Sequence, residues 1–344
     1  MVRLSCLVCV SMLAGFAARG EGNLEWMVKA FGDGRHNAFT DLIRWRDAYY
    51  LCFRHGATHM SMDGEIRVMR STDLKTWEAC ATLDTFGDDR DPHFVSDDAA
   101  LYCYFGTWNL EHKTDHGLPD RGCVRSYFAK TEDGANWSKI QGVYEEGWWL
   151  WRVRRHGEFF YSAAYTANRP SPDARETRLL RSRDGLEWET ISCATKEHKA
   201  GEADMHFPPE GGVWLLSRTG NGAGTSFWLR SNPEMTEWRE TDTGVLVHAP
   251  VFGMWKDWFV VGGRAKTDDG YRTRFWRIEG DTLAELITLP SGGDTSYPGL
   301  VVVPPEDGNA SPTLVVSWYS QHENDPGDKH AASVYIGRIQ LDTR

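Results

Sequence analysis

The feature that most constrains this chain is a short recurring motif, in which a Ser or Thr lies two positions before an Asp and a Trp follows. The clear copies are STDLKTW (71–77), TEDGANW (131–137) and SRDGLEW (182–188), and SNPEMTEW (231–238) is a degraded fourth copy. Such residues form a tight turn between antiparallel strands, and the Trp packs under it. Because the Asp recurs after 60 and then 51 residues, we expect a repeat protein.

A second repeated element precedes each turn and consists of two apolar strands. Its six copies lie at 40–54, 91–106, 148–165, 204–218, 248–264 and 296–321. Six units over roughly 320 residues leave about 53 residues each, the size of a four-stranded propeller blade. We therefore predict an all-β fold, a single six-bladed β-propeller of four-stranded antiparallel blades, with five blades as the alternative. The C-terminal ASVYIGRIQL lacks a full set of partners, and LEWMVKAF near the N-terminus could complete its blade and close the ring.

The first 20 residues have the pattern of a signal peptide. Arg3 precedes the apolar run LSCLVCVSMLAGFAA, which ends in small residues and is short for a membrane span. We expect cleavage between Ala18 and Gly22, a propeller domain over 21–344, no membrane span, and a secreted or periplasmic protein. The net charge of −11 makes nucleic acid an unfavourable partner. No cofactor is expected, and no metal either, because DDRDPH and EADMH lack a known ligand spacing.

Propeller geometry predicts where the functional residues collect. The inner strand of each blade starts at one face and the second strand returns to it, so residues flanking this pair meet at one mouth on the axis. The candidate substrate-binding residues chosen by this rule are Arg35, Arg54, Arg218, Arg264, His36, His55, Arg90, Asp91, His93, His206, His248 and His322. Arg54, Arg218 and Arg264 hold equivalent places in three blades, which suits a carboxylate clamp. The alternative is that they pair with neighbouring Asp and Glu.

The turn motif resembles the Asp boxes of the sialidase superfamily, and two further segments resemble sialidase active-site segments. GEADMHFPPEGGVWLLSRTG places Glu202 before a blade-four inner strand and Arg218 after its return strand, and SYPGLVVV places Tyr297 before a blade-six inner strand. The resemblance implies that Tyr297 is a nucleophile and Glu202 its base. It also implies that Arg218 and Arg264 bind the substrate carboxylate.

Blade one departs from the sialidase pattern. Sialidases open this blade with Arg-Ile-Pro, whereas this chain has RHNAFTDL, and only Arg35 could substitute. Sialidases also carry an acid/base Asp in the loop after the return strand. Here that loop is FRHGATHMSMDGE, with Asp63 as its only Asp and Arg54, His55 and His59 as its other titratable groups. The candidate catalytic residues are therefore Tyr297, Glu202, Asp63 and Asp41, and the proton donor is left open.

These observations predict a secreted exo-glycoside hydrolase that acts on glycans and removes a terminal acidic sugar with retention. A propeller-fold lyase is the main alternative, since Tyr, His and Arg can also neutralise a uronate and remove its C5 proton. A third interpretation treats Asp41, Asp91 and Glu202 as the carboxylate set of a five-bladed glycosidase. A fourth is glycan binding without catalysis, through the rings of Trp108, Trp148 and Trp149.

Overall fold

The computed structural model describes residues 22–85, 87–109, 124–166, 175–220, 224–306, 311–325 and 327–342. The expected targeting segment, 1–20, lies outside them. The described residues form 24 β-strands in six antiparallel sheets of four strands each. This is the predicted six-bladed β-propeller, and five blades are excluded. Within the described ranges, no helix is long and apolar enough to cross a bilayer.

Each of the first three blades is built from four consecutive strands, with the inner strand given first. Blade one comprises β2 (His36–Trp45), β3 (Ala48–Gly56), β4 (Glu65–Ser71) and β5 (Glu78–Leu83). Blade two comprises β6 (Asp88–Ser96), β7 (Leu101–Trp108), β8 (Arg125–Thr131) and β9 (Gln141–Val143). Blade three comprises β10 (Trp148–His156), β11 (Phe159–Thr166), β12 (Thr177–Ser182) and β13 (Glu189–Thr195).

The remaining blades follow the same order until the last one, which closes the ring. Blade four comprises β14 (Ala203–His206), β15 (Trp214–Ser217), β16 (Phe227–Ser231) and β17 (Trp238–Asp242). Blade five comprises β18 (His248–Trp255), β19 (Trp258–Thr267), β20 (Gly270–Glu279) and β21 (Thr282–Thr288). Blade six comprises β22 (Thr295–Val303), β23 (Thr313–Ser320), β24 (Ser333–Leu341) and the N-terminal β1 (Gly22–Phe31). The pairing of β1 with β24 confirms that the two ends of the chain share a blade.

The recurring motif forms the turn between the two outer strands of blades one to three. In the first copy, Asp73 Oδ1 accepts hydrogen bonds from the backbone N–H of Lys75 (2.8 Å) and Thr76 (2.7 Å). The indole N–H of Trp77 donates to the Leu74 carbonyl at 3.2 Å. The copies around Asp133 and Asp184 accept the equivalent backbone bonds. These turns lie on outer strands, away from the axis, and therefore stabilise the blades instead of lining the mouth.

A bulge in the inner strand recurs in five blades, at the point where each strand enters the axial channel. Strand pairing skips two residues between Ala38 and Asp41 in blade one, and the same irregularity recurs in blades two, three, five and six. The first bulged residues are Phe39, Asp91, Trp151, Ala249 and Tyr297. Four of these have positive φ: Phe39 (58°), Asp91 (51°), Ala249 (49°) and Tyr297 (47°). Non-Gly residues seldom adopt this conformation, and bulges redirect side chains. The repeated bulge therefore brings one side chain per blade to the mouth.

Candidate active site

Tyr297 and Glu202 form the centre of the mouth, although 95 positions separate them in the chain. The Tyr297 hydroxyl donates to Glu202 Oε1 at 2.7 Å. Arg218 Nη1 donates to the same carboxylate oxygen and lies 3.3 Å from the Tyr297 hydroxyl. The second oxygen, Oε2, accepts the backbone N–H of Ala249, the bulged residue of blade five, at 2.9 Å. The strained backbone of two blades thus fixes the nucleophile–base pair expected from the sequence.

The electrostatics of this pair give the two groups opposite protonation states. Burial alone would raise the pKa of Glu202, but the charge of Arg218, with His248 and the Tyr297 hydrogen bond, lowers it below its ordinary value. Burial, followed by the Glu202 charge, raises the pKa of Tyr297 well above its ordinary value. At neutral pH, Tyr297 is therefore a neutral phenol that donates to an ionised carboxylate. A carboxylate in this position can accept the phenolic proton as the oxygen attacks.

Arg264 and Asp294 form a second charged group beside Tyr297. The Arg264 guanidinium carbon lies 5.0 Å from the centroid of the Tyr297 ring. Arg264 Nη2 donates to Asp294 Oδ1 at 3.1 Å and to the Tyr319 hydroxyl at 2.8 Å, and the Tyr319 hydroxyl donates to Asp294 Oδ1 at 2.7 Å. Arg218 and Arg264 consequently flank Tyr297 from blades four and five. Each already has a carboxylate partner, as the ion-pair alternative predicted, and binding of a substrate carboxylate stays a prediction.

Two His side chains from blade one converge on the other oxygen of Asp294. His36 Nε2 lies 2.9 Å and His59 Nδ1 lies 2.5 Å from Asp294 Oδ2. Burial lowers the pKa of His36, despite the opposing effect of Asp294, so this ring is neutral at pH 7. The two His side chains differ in exposure, since His36 is buried and about half of the His59 side chain is exposed at the mouth.

The geometry of His36, His59 and Asp294 resembles a small metal site, with one ligand atom from each within 4.8 Å of the others. Three guanidinium groups contact these same residues. Arg54 Nη1 lies 3.5 Å from His36 Nδ1, Arg90 Nη2 lies 3.5 Å from His59 Nε2, and Arg264 binds Asp294. So much positive charge disfavours a divalent cation. The expectation of no metal remains a prediction.

Arg90 and Asp91 complete the charged wall on the blade-two side. The Arg90 guanidinium carbon lies 4.7 Å from the Phe39 ring centroid and 4.3 Å from that of Trp108, and Nη1 donates to Asp88 at 3.1 Å. Asp91 is 7% exposed, and no described residue donates a hydrogen bond to its Oδ1. Burial, with Glu202 adding to it and Arg90 opposing it, raises the pKa of Asp91 to about 7. A buried carboxyl with such a pKa is a common mark of a functional site.

An aromatic cup lies beneath these polar groups. The Phe39 ring contacts the rings of Tyr297 (4.9 Å between centroids), Tyr319 (5.4 Å) and His59 (5.4 Å). Trp151 packs 6.0 Å from Tyr297 and 6.3 Å from Tyr165. Of the Trp residues considered for stacking, Trp148 and Trp149 are buried in packing, whereas Trp108 is partly exposed beside Arg90.

Some predicted residues lie deeper on the axis, beyond the bulges. Asp41 is buried and accepts hydrogen bonds from Arg152 Nη1 and from the backbone N–H of Phe94, both at 2.7 Å. His93 is buried against the Trp151 ring at 4.8 Å, and burial lowers its pKa well below the ordinary value. The structure therefore places Asp41 and His93 in the packed axial channel. The carboxylate set Asp41, Asp91 and Glu202 is not brought together at one surface.

Other predicted residues lie in the rim of blade one. Arg54 is fully buried, donates to Asp88 Oδ1 at 2.7 Å, and donates to the Thr58 carbonyl at 2.8 Å. His55 lies between Asp33 (2.9 Å) and Glu65 (3.1 Å). Arg35 and Asp63 are both exposed and bind each other. Arg54 thus supports the loop over 57–64 instead of facing the mouth, and Asp63 is held by Arg35.

The last three predicted His residues have three different locations. His206 ends β14, at the end opposite the mouth, with its ring 4.5 Å from Phe259. His322 lies 2.9 Å from Ser320 Oγ, and its ring is 4.8 Å from that of Tyr335 on β24. His248 is brought near Glu202, and burial together with the charge of Arg218 lowers its pKa to about 3. Only His248 of these three belongs to the mouth.

Searches of family models and of curated protein sequences give no match to this chain. Solved structures do resemble it. A protein of unknown function from Dyadobacter fermentans DSM 18053 has a TM-score of 0.74 at 20% identity, over 93% of this chain and 99% of its own. Trypanosoma rangeli sialidase has a TM-score of 0.66 at 13% identity, over 88% of this chain and 55% of its own. Phage phi92 endosialidase has a TM-score of 0.62 at 13% identity, over 94% of this chain and 70% of its own.

At these identities the likeness shows a shared six-bladed fold. The chain spans only about half the length of the T. rangeli sialidase that it matches. One solved structure of that sialidase is a complex with 2,3-difluorosialic acid described as a covalent intermediate.

The sequence rules did not select Phe39, Trp151 or Tyr319, although all three line the mouth. The position of Tyr319 could have identified it, because it lies near the end of the blade-six return strand, where it pairs with Ser296. The bulges also have a partial signal, since Pro92, Pro250 and Pro298 follow three of the bulged residues. Pro within a sheet is confined largely to edges and bulges. Phe39 and Trp151 lack that Pro and could not have been chosen in this way.

Proposed function

We propose that this protein is a retaining exo-glycoside hydrolase of the sialidase type, which removes a terminal acidic sugar from a glycan. The observation that carries the proposal is the 2.7 Å hydrogen bond from the Tyr297 hydroxyl to Glu202, at the mouth of the propeller. We also propose export through the N-terminal segment, 1–20.

The protonation states explain why a Tyr would suit this reaction. When a carboxylate flanks the anomeric carbon, an anionic nucleophile is repelled as it approaches, whereas a neutral phenol is not. Glu202 takes the phenolic proton during attack, so the negative charge never builds up fully on the Tyr297 oxygen. Sialidases are an exception to the paired-carboxylate scheme of most glycosidases for this reason.

The charge around Tyr297 supports an acidic substrate. Arg218 and Arg264 lie on either side of the nucleophile, and Arg90 faces it across Phe39. Burial of the guanidinium groups makes each charge more effective than it would be in water. The chain as a whole is anionic, and these three guanidinium groups offer an acidic sugar charged donors at the mouth, each of them shared with a carboxylate of the protein.

The test uses a fluorogenic aryl α-sialoside and a 2,3-difluorosialic acid. We expect release of the aryl group with an α-configured first product by NMR, and a covalent adduct that peptide mass mapping assigns to Tyr297. Tyr297→Phe should lower kcat by about 10³-fold or more and abolish the adduct, because the attacking oxygen is lost. Met254→Ala, an exposed residue on the opposite face, serves as the control with normal activity.

Other outcomes would reassign the site. Ultraviolet absorbance from an unsaturated uronate, without aryl release, would indicate the lyase. Glycan binding without either product would indicate a binding module. Full activity in Tyr297→Phe would refute the nucleophile.

A further inference from the structure

A retaining glycosidase needs a proton donor for its leaving group, and neither Asp63 nor Asp41 can supply it from its position. Asp63 is held by Arg35 in the exposed rim, and Asp41 is buried on the axis with Arg152. The donor has to face the mouth near Tyr297, and it has to be accessible because the aglycone of an exo-acting enzyme points outward.

We propose that His59 is the general acid/base of this site and that Asp294 is its positioning residue. The inference rests on the proposed function and deepens it. His59 Nδ1 lies 2.5 Å from Asp294 Oδ2, which leaves Nε2, approached by Arg90 Nη2 to 3.5 Å, as the nitrogen for proton transfer. A carboxylate on one nitrogen fixes the tautomer and orientation of an imidazole that acts through the other.

The surroundings of His59 place it across the cup from the nucleophile. Its ring and the Tyr297 ring both contact Phe39, at 5.4 Å and 4.9 Å between centroids. A sugar lying over Phe39 can therefore meet Tyr297 at its anomeric carbon and His59 at its glycosidic oxygen. The side chain of His59 is 48% exposed, so an aglycone can reach it.

The neighbours of His59 come from two other blades and from the strand pair of its own blade. Asp294 from blade six provides the negative charge, Arg90 from blade two lies 3.5 Å from Nε2, and the neutral His36 ring packs at 5.2 Å. Arg54 anchors the loop that carries His59 through the Thr58 carbonyl at 2.8 Å and Ser61 Oγ at 3.1 Å. The buried Arg54 thus gives a surface loop the rigidity that a catalytic group requires.

The two chemical steps balance with these groups alone. In the first, the Tyr297 oxygen forms a bond to the anomeric carbon as the bond to the aglycone oxygen breaks. Glu202 takes the Tyr297 proton, and protonated His59 gives the Nε2 proton to the aglycone oxygen. In the second, neutral His59 takes a proton from water, whose oxygen attacks the anomeric carbon. The bond to Tyr297 breaks, and Glu202 returns its proton to the phenolic oxygen.

Asp91 is the rival donor, since its pKa of about 7 would leave it partly protonated at neutral pH. It is only 7% exposed and lies deep beside Glu202 and Arg90. A group at that depth suits contact with the bound sugar better than contact with the departing aglycone. Removing the true proton donor should slow substrates with a poor leaving group more than substrates with an activated one, and this selectivity decides between His59 and Asp91.

The experiment compares kcat/KM of His59→Gln, Asp294→Asn and Asp91→Asn on an aryl α-sialoside and a sialyl-lactose. Acid catalysis typically contributes 10²–10⁴-fold, and an activated aryl leaving group needs little of it. We expect His59→Gln to lose on the order of 10²-fold or more on the saccharide and less than about 10-fold on the aryl substrate. Azide should restore turnover of the aryl substrate, giving a glycosyl azide. Asp294→Asn should show the same selectivity with a smaller loss.

The pH profile gives a second readout. General acid catalysis makes kcat/KM fall on the alkaline side, and His59→Gln should lose that limb while keeping the acid limb set by Glu202. His156→Gln, which changes a His stacked on Phe207 at the opposite face, is the matched control. Equal losses on both substrates, or leaving-group selectivity in Asp91→Asn instead, would overturn the assignment. Trapping at Tyr297 in the wild type reports the proposed function separately, and a wild type that neither cleaves nor traps overturns both proposals together.

Discussion

Two buried ion clusters lie along the propeller axis, and they differ in how completely their carboxylates are paired. In the axial cluster, Arg152 donates to Asp41 at 2.7 Å and to the carbonyls of Pro250 (2.9 Å) and Pro298 (2.6 Å). Asp204 accepts from Arg154 Nε at 2.7 Å and from the Phe252 N–H at 2.7 Å. The bulged strands thus bind one another through a paired network.

The cluster at the mouth has the same residue types but leaves groups unpaired. Within the described ranges, Asp91 Oδ1 and His248 Nδ1 are buried without a hydrogen-bond partner. The pKa values of Asp91 and Glu202 shift in opposite directions, although both side chains are buried beside Arg. An unpaired buried polar group costs stability, and a bound ligand that pairs with it is one explanation for its presence. On the axis both ring nitrogens of His93 are unpaired as well, but Asp41 and Asp204 have both carboxylate oxygens paired. An unpaired buried carboxylate oxygen, and not charge content, therefore distinguishes the candidate site from the axial cluster.

The largest expected effect is on the axial cluster. Arg152→Met removes the cation and leaves Asp41 buried, together with two carbonyls that lose their donor. Breaking a buried ion pair on one side costs roughly 3–5 kcal/mol. We expect a loss of that size in the free energy of unfolding, measured by urea denaturation.

The matched control is Arg155→Met, on the same strand but pairing at the surface with Asp97. An exposed pair contributes roughly 0–1 kcal/mol, so this variant should unfold nearly as the wild type does. Equal stability of both variants would show that the axial cluster does not hold the blades together.

The architecture was predictable because its signals are periodic. The turn motif, the strand pairs and the spare strands at the two ends each specify part of a closed ring, and the pairing of β1 with β24 follows from them. Tyr297, Glu202 and Arg218 were predictable together because each lies at the mouth end of an inner strand pair. The distances between them could not be predicted from the sequence, because they depend on how the blades pack around the axis.

The bulge explains why two of the predicted site residues lie below the mouth. A position two residues past the bulge points into the packed axis, so Asp41 and His93 do not face the mouth as the rule assumed. His206 lies away from the mouth for a different reason, since β14 has no bulge and is only four residues long, so that His206 is already at its far end. Bulges depend on pairing between strands and leave only a Pro in the sequence as a sign.

The second-largest expected effect is on activity and concerns the cluster at the mouth. Glu202→Gln keeps the shape of the side chain but removes the base, so kcat on an aryl α-sialoside should fall by about 10²–10⁴-fold. The loss of stability in urea should be smaller than that of Arg152→Met, because the Arg218 side chain that loses its partner is 29% exposed and can be hydrated. If Glu202→Gln destabilised the protein as much as Arg152→Met does, the mouth cluster would be structural too.

The smallest effect concerns Asp91 and appears only as a function of pH. Its folded pKa is about 7, against an ordinary value of 3.8, so the folded state binds the proton more tightly than the unfolded state. The stability that this group contributes is therefore fully present below about pH 4 and is lost as pH rises toward 7. Asp91→Asn has no proton to lose. Relative to the wild type, it should gain about 1–4 kcal/mol of unfolding free energy between pH 4 and pH 8.

Asp73, whose pKa shifts in the opposite direction, provides a control for that measurement. The backbone hydrogen bonds from Thr76 and Lys75 lower the pKa of Asp73 to about 2. Its contribution is present above the ordinary value and is lost only as pH falls through about 2, so the difference between wild type and Asp73→Asn should stay constant from pH 5 to 8. A constant difference for Asp91→Asn as well would mean that Asp91 is ionised throughout this range. The carboxylates at the mouth would then be as well stabilised in their ionised form as those on the axis, and an unpaired carboxylate oxygen would no longer distinguish the candidate site.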